Sequence, residues 1–565
     1  MSSPESRTAP APYPKSKRYL AFAIAAAAAG SLVVMGFQKA AADTDYQQAF
    51  IASAISGGVT VVIALLLAQR SAYHAGRRWL LPKALTLAMV VAIACFRFDG
   101  FSGEMVPQFT WRFAAKELPG LQPTTSSSTD DARPDSEPGS ALESDAVDVM
   151  STTINTPSDW PCFLGIHADG IVRERQFAIP DTEDAIETRW HIGVGSGWAS
   201  FAMDQALAVT LEERPDGEFV TAYDLKTGRL RWSAGHDAHH QDGLGGPGPR
   251  TTPCLVGNRV FAQGASGRVW CLHRDDGRVL WSVDLLALGG WDQQASEEAI
   301  PWGRAASPVI VQRDDASDLC LIPLGAPEGM ANRSLVALDA ATGDVVWTTG
   351  TAQISYATPQ IMTLGGVRQI VSVNEATITG HTIDSGATIW SFDWYGQTNT
   401  GANCASVVPA GDNRFLIGKG YGGGSAVVEI RAAGPDGDWT ATEVWRSSRV
   451  MKTKFNHAVV LDGTAYGLSN GALEAVNVTT GDRLWQQPRR GRYGQGHVIA
   501  VEDTLIVQAE NGDVALVEAN PDAFRERLRF PALQSKTWNI PSLSGRTLLI
   551  RNGEEAMALR FPSRQ

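Results

Sequence analysis

The side chains of this sequence best suited to hold a ligand are Trp198, Arg250, Arg304, Tyr356, Asn403, Lys454, His457, Arg492, His497, Lys536 and Trp538. Guanidinium forks, ammonium groups and stacking rings of this kind suit a planar anion. The competing reading is that the same groups satisfy backbone carbonyls or solvate a rim. Other chemistry is thinner. His236-Asp-Ala-His-His240 offers metal-ligand types but precedes the Gly-rich stretch 243–248, so it reads as a solvated loop. No Gly-x-Ser-x-Gly elbow is present, and Cys271 with His273 lies in a strand where packing is its role. Lys419-Gly-Tyr-Gly-Gly-Gly424 lacks the Gly-Lys-Ser/Thr ending of a phosphate loop and reads as a tight hairpin.

These residues are spaced by a repeat. Asp339-Ala-Ala-Thr-Gly343 supplies turn chemistry between a Leu/Val-rich strand and a second strand ending at Trp347. Copies end at Trp232, Trp281, Trp390 and Trp485; the copy ending at Trp445 has a longer turn built on Gly434, Pro435 and Gly437. A degenerate copy, 517–530, loses the Trp. Each copy follows another strand pair, so the unit is four short antiparallel strands, the pattern of a β-propeller blade. A blade needs neighbours on both faces, and its closing Trp is expected to fill the wedge between blades. The last three strands, 541–561, lack a fourth, while Glu187-Thr-Arg-Trp190 stands without a blade before it. Lending that strand to the last blade closes an all-β ring of eight blades. Seven is the count if the degenerate copy is not a blade. The candidate side chains then stand where each inner strand begins, round a central funnel.

The Asp-x-x-Thr-Gly-x-x-x-Trp grammar resembles the pyrroloquinoline quinone (PQQ) repeat of the quinoprotein alcohol dehydrogenase-like superfamily and of BamB-like scaffold proteins. Asp159-Trp-Pro-Cys-Phe, followed by Asp169-Gly170, resembles the lead-in of membrane-anchored, planctomycete-type members. For residues 159–565 the resemblance implies a propeller fold, and it leaves activity open. It makes PQQ the cofactor to consider at the funnel. The vicinal disulfide and haem motif of many quinoprotein dehydrogenases have no counterpart here, nor has a dense calcium-ligand cluster. The preferred function is a non-catalytic binding or scaffold module, with envelope protein assembly as an analogy. The alternative is a PQQ-dependent alcohol or sugar dehydrogenase.

The chain has 565 residues, 44% hydrophobic and 19% charged, with a net charge of -12. That acidity and the lack of a basic domain-sized stretch exclude a nucleic-acid-binding surface. Cys95, Cys162, Cys254, Cys271, Cys320 and Cys404 form no Cys-x-x-Cys pair. Most read as small buried hydrophobes, and a Cys254–Cys271 bridge across one hairpin stays open.

Ahead of the propeller, a tail (1–18) precedes apolar runs at about 19–37, 50–68 and 79–98, read as three membrane helices with Trp79 as an interfacial anchor. Basic residues in the tail and at Arg70, Arg77 and Arg78, against Asp43 and Asp45, orient them. The amino terminus is expected in the cytoplasm and the propeller in the periplasm, anchored to the inner membrane and meeting protein partners through its faces. Residues 99–158 are an extracytoplasmic segment and a Ser/Thr/Asp/Pro-rich tether. A topology reporter fused after Gly100 is expected to be active outside the cytoplasm; cytoplasmic activity refutes the three-span arrangement.

Overall fold

The computed structural model describes residues 15–40, 46–71, 80–114, 118–124, 126–128, 159–314, 316–331, 333–396, 401–432 and 438–564. Asp43, Asp45, Arg77, Arg78, Trp79, the turn glycines 434 and 437 with Pro435, and most of the tether lie outside them. The chain divides into two units, Met1–Lys116 and Glu117–Gln565.

In the first unit, helices Lys15–Ala40 and Tyr46–Ser71 pack on one another. Gly30 lies so close to Thr60 that a Cβ would sit 2.1 Å from its hydroxyl. That hydroxyl is satisfied by the Ser56 carbonyl, 2.7 Å away. Small residues allow such close helix contact where no hydrophobic effect drives it. Among the described residues one stretch, Ala49–Leu67, is long and apolar enough to cross a membrane. The third helix, Leu80–Cys95, stops short of the expected residue 98. Its 16 residues rise about 24 Å, less than a bilayer core of about 30 Å. The chain turns at Phe96 into a hairpin, Phe96–Phe101 with Pro107–Trp111, because alternating aromatics pair across it: Phe96 meets Trp111 at 5.2 Å and Phe98 meets Phe109 at 5.5 Å.

The second unit is the propeller, and it has eight blades. In chain order their inner strands are Ala202–Met203, Cys254–Val256, Val309–Val311, Gln360–Leu364, Val408–Pro409, Val459–Leu461, His497–Val501 and Ser542–Ser544. Three antiparallel strands follow each of the first seven. The degenerate copy is the outer half of blade 7, with Leu528 where others carry Trp. Blade 8 takes Glu187–Gly193 as its outermost strand, pairing from Gly193 with Glu555 to Glu187 with Arg560. Buried Arg551 of blade 8 reinforces the closure, donating to Thr210 Oγ1 (2.7 Å), the Leu211 carbonyl (3.0 Å) and the Gly195 carbonyl (2.9 Å). Within the stretch read as a tether, Gln122 is ordered against blade 1, bonded to the Gly228 carbonyl (2.7 Å) and the Leu230 amide (2.8 Å).

The repeat's spacing has a direct packing cause. In the turns of blades 1, 3 and 6 the Asp or Asn side-chain oxygen accepts two local amides, as Asp339 does from Ala341 (2.8 Å) and Thr342 (3.0 Å). The chain then needs a left-handed residue, and Gly343 takes φ 81°. The Trp of the preceding blade lies flat against that glycine. Trp190, Trp232, Trp281, Trp347 and Trp445 contact Gly228, Gly277, Gly343, Gly386 and Gly481 in this way. Each indole N–H donates to the carbonyl three residues before the glycine: Leu225 (2.9 Å), Arg274 (2.8 Å), Ala340 (3.1 Å), Ile383 (3.1 Å) and Val478 (2.8 Å). Where the next turn is irregular the pattern bends. Trp390, stacked on Phe415 of blade 5, donates to Gln369 Oε1 of its own blade (2.5 Å).

Gly343→Ala should therefore lose about 2–4 kcal/mol, combining left-handed strain with a methyl 2.8 Å from the Trp281 ring. Gly366→Ala, also left-handed at φ 78° but with open space, should lose only about 1–2 kcal/mol in the same urea titration. Equal losses would show that the indole contact contributes nothing.

Candidate functional site

Every connection from an outer strand to the next inner strand lies on one face of the ring, and the expected side chains stand on these connections. The structure brings them together in separate groups. On the side of blades 8 and 1, Trp198 and Trp538 meet at 4.8 Å and Phe455 approaches Trp538 at 5.0 Å. Lys536 Nζ lies 4.1 Å from the Trp538 ring centre and 5.3 Å from that of Trp198. Both indoles are tied down, Trp538 to Glu510 Oε1 (2.9 Å) and Trp198 to the Gly245 carbonyl (2.5 Å).

A second group adjoins the first at the hairpin that Trp198 binds: Arg250 pairs with Asp242 and donates to the Gly248 (2.9 Å) and Gly246 (3.2 Å) carbonyls. Its charge reaches the Tyr356 phenol and the Cys404 thiol. Burial pushes that thiol up to about 12, against the pull of Lys419 and Arg250. Burial also lowers the Lys419 ammonium, which donates to the Tyr395 carbonyl. Asn403 Nδ2 serves three carbonyls, Asn374 (2.9 Å), Glu375 (3.1 Å) and Trp394 (3.1 Å).

The remaining residues have other partners. Arg304 is buried over Trp291, its Nη1 on the Leu324 carbonyl. Lys454 lies over the Tyr421 ring at 5.5 Å, and Arg492 donates to the Asn470 carbonyl (2.7 Å). His457 and His497 are buried, stacked 6.4 Å apart, with His497 Nε2 2.8 Å from the Trp538 carbonyl. Burial lowers His457 to about 3, its neighbour His497 adding to the effect, and lowers His497 to about 4.

Sequence reasoning did not single out Asp242, Cys404 or Phe455. Phe455 was within reach, since it shares its connection with His457. Asp242 falls immediately after the His236–His240 run, in a short hairpin of Gln241–Asp242 with Gly246–Pro247. That run is not uniformly solvated: His240 is buried, which lowers it to about 4 despite Asp242. Among the described residues no three metal-ligating side chains cluster. Cys271 is buried in its strand, pushed up to about 11 by burial, and Lys419 pairs with Gly424 across a tight hairpin.

The opposite mouth is crossed by the lead-in segment. Asp159 accepts from Ser544 of blade 8 (3.1 Å), and Trp160 exchanges two backbone bonds with Met203 of blade 1 (3.1 and 2.8 Å). Pro161 accepts from Leu255 of blade 2 (2.8 Å). Phe163 then reaches His457 of blade 6 (5.2 Å), and Ile171–Val172 pairs with Ala500–Val501 of blade 7. Met203, Ser544 and Ala500–Val501 lie at the far ends of their inner strands, Leu255 lies mid-strand and His457 lies just ahead of its strand, so the segment runs from the far end up into the axis and stoppers it. Cys162 within it is disulfide-bonded to Cys254, 92 residues on. The Cys254–Cys271 bridge is thereby excluded: both flank Phe261, on opposite neighbours of the strand between them.

For the mouth residues to hold a planar tricarboxylate such as PQQ, Arg250 would have to release Asp242 and two carbonyls, and Asn403 three. The Trp198–Trp538 pair, its indole N–H groups already bonded, would offer such a ligand ring faces.

A family model described as outer membrane protein assembly factor BamB matches residues 187–318, 215–373, 328–442 and 374–552. Among solved structures, a europium-containing methanol dehydrogenase aligns with TM-score 0.54 at 10% identity, over 72% of this chain and 98% of that one. The quinohemoprotein alcohol dehydrogenase of Comamonas testosteroni gives TM-score 0.54 at 11% identity, over 73% and 82%. BamB from Moraxella catarrhalis gives 0.43 at 15%, over 67% and 99%. No curated protein sequence matches. At these identities the structural likeness concerns the fold.

The buried imidazoles make stability depend on acid. Above pH 6.5 His457 is neutral folded and unfolded; below it the unfolded chain takes up a proton that the folded chain refuses down to about 3. Stability should fall as pH drops from 6.5 toward 3, and His457→Gln should flatten that slope by up to about 1.4 kcal/mol per pH unit. An unchanged slope in urea titrations at stepped pH would contradict the burial of a neutral ring.

Proposed function

The chain belongs to the family of the outer membrane protein assembly factor BamB, and from that premise we propose that it is a non-catalytic, membrane-anchored binding module whose mouth face docks envelope proteins. The observation that carries this reading is where large apolar side chains are exposed. Leu244, Leu288 and Tyr395 stand on connections between blades, and Met330 on a turn of blade 3 that reaches the same face. Tyr395 is 70% exposed. Apolar groups presented on rigid loops within a polar rim are the anatomy of a protein interface. The groups that would grip a small cofactor are largely occupied by this chain's own acceptors, and the axis behind them is stoppered.

The anchor is the amino-terminal helical unit, in which Ala49–Leu67 meets the length and apolarity of a membrane span. An inner-membrane location, a cytoplasmic amino terminus and a periplasmic propeller agree with the charge distribution. The Cys162–Cys254 disulfide supports the same side, since such bonds persist outside the cytoplasm. The other reading, a quinoprotein dehydrogenase, draws on Trp198, Lys536 and Trp538 as a stacking platform.

Photo-crosslinkers placed at Met330 and Tyr395 in cells should trap envelope proteins, while one at Val444, on the outer strand of blade 5, should not. Equal trapping at all three positions refutes a partner-specific face. Titration of the purified chain with PQQ and Ca²⁺ should give no bound quinone spectrum; a bound quinone reducible by alcohols or aldoses would favour the dehydrogenase.

A further inference from the structure

Above the middle strands of blade 2 lies a small, partly open cleft. His239 and His240 line it on one side and the turn at Ala265 and Ser266 on another. Leu286, from the short helix Leu285–Gly289, and the helix Gln293–Ala299 cover it.

Arg304 lines this cleft and is only 3% exposed. Its Nη1 is held by the Leu324 carbonyl and its plane rests near Trp291, 5.6 Å from the ring centre. The other two nitrogens, Nε and Nη2, are buried without a hydrogen-bond acceptor. They form the side-on edge of the guanidinium, the edge that takes a carboxylate through two parallel bonds. Among the described residues no carboxylate forms an ion pair with Arg304; Asp284 is the acid whose field reaches it, and burial lowers the guanidinium to about 10. A buried cation with no counter-charge is strongly unfavourable. A second buried polar atom in the lining, His240 Nε2, also has no partner. Two left-handed glycines leave these atoms room: a Cβ on Gly267 would come within 3.0 Å of Arg304 Nε, and one on Gly303 within 3.0 Å of His240 Nε2.

We infer that this cleft binds a small monocarboxylate, gripped side-on by Nε–H and Nη2–H of Arg304. A planar acceptor matches one free fork, whereas a tetrahedral dianion would leave oxygens unserved. Glu297 in the lining, held by Gln293 at 2.9 Å, adds repulsion against a second negative charge.

The test uses the full chain in detergent, titrated with sodium acetate by calorimetry and thermal unfolding, with ionic strength held by sodium chloride. Acetate should bind and raise the melting temperature beyond the chloride control. Arg304→Gln should weaken acetate binding by about tenfold or more. Because that substitution also removes the bond to Leu324, a second variant is needed: Glu297→Gln, on an exposed helix position, should tighten acetate several-fold with the fold intact. No acetate response in the unaltered chain, an equal response in Arg304→Gln, no change in Glu297→Gln, or phosphate or sulfate binding more tightly than acetate would each overturn the inference.

Discussion

Everything in the propeller depends on an indole laid against a glycine of the next blade. The contact joins three demands at one point. The hairpin turn requires a left-handed residue, the wedge between twisted sheets requires a broad flat filler, and the indole N–H requires an acceptor once buried. The carbonyl three residues before the glycine meets the last demand in every regular copy, as Trp281 with Ala340 illustrates. Side-by-side blades thus share a polar bond inside an apolar contact, which fixes their relative height as well as their spacing. Arg551 performs the analogous task at the closure, where blade 8 meets blade 1 through three donated bonds.

This dependence explains why the fold was legible from residues alone. Glycine and Trp recur at fixed spacing because they meet across neighbouring repeats, and Trp190 announced a strand whose blade lies at the other end of the chain. The third helix was legible only in part: hydropathy runs smoothly through Phe96, while the cross-strand pairs Phe96–Trp111 and Phe98–Phe109 that end the helix depend on residues beyond it.

The mouth was harder to read for a different physical reason. Type and position identified Arg250, but its pairing with Asp242 depends on a hairpin fold within the connection, and its influence on Cys404 on a connection three blades further round the ring. The stopper was invisible as such. Its residues contact blades 1, 2, 6, 7 and 8, a set that no local pattern can specify. Cys162 looked like one more buried thiol for the same reason. Its partner is distant in sequence and becomes adjacent only when the segment crosses the axis.

The loan of Glu187–Gly193 to blade 8 also sets a timetable for biogenesis. At synthesis rates of roughly 5–20 residues per second, this strand waits on the order of tens of seconds for its partner, Glu555–Arg560, to be made. During that interval the nascent ring has two open sheet edges, each a template for pairing with another chain. Truncation anywhere in the last few dozen residues would make the interval permanent. Quality control acting on the extreme carboxyl terminus would therefore act on the whole ring at once.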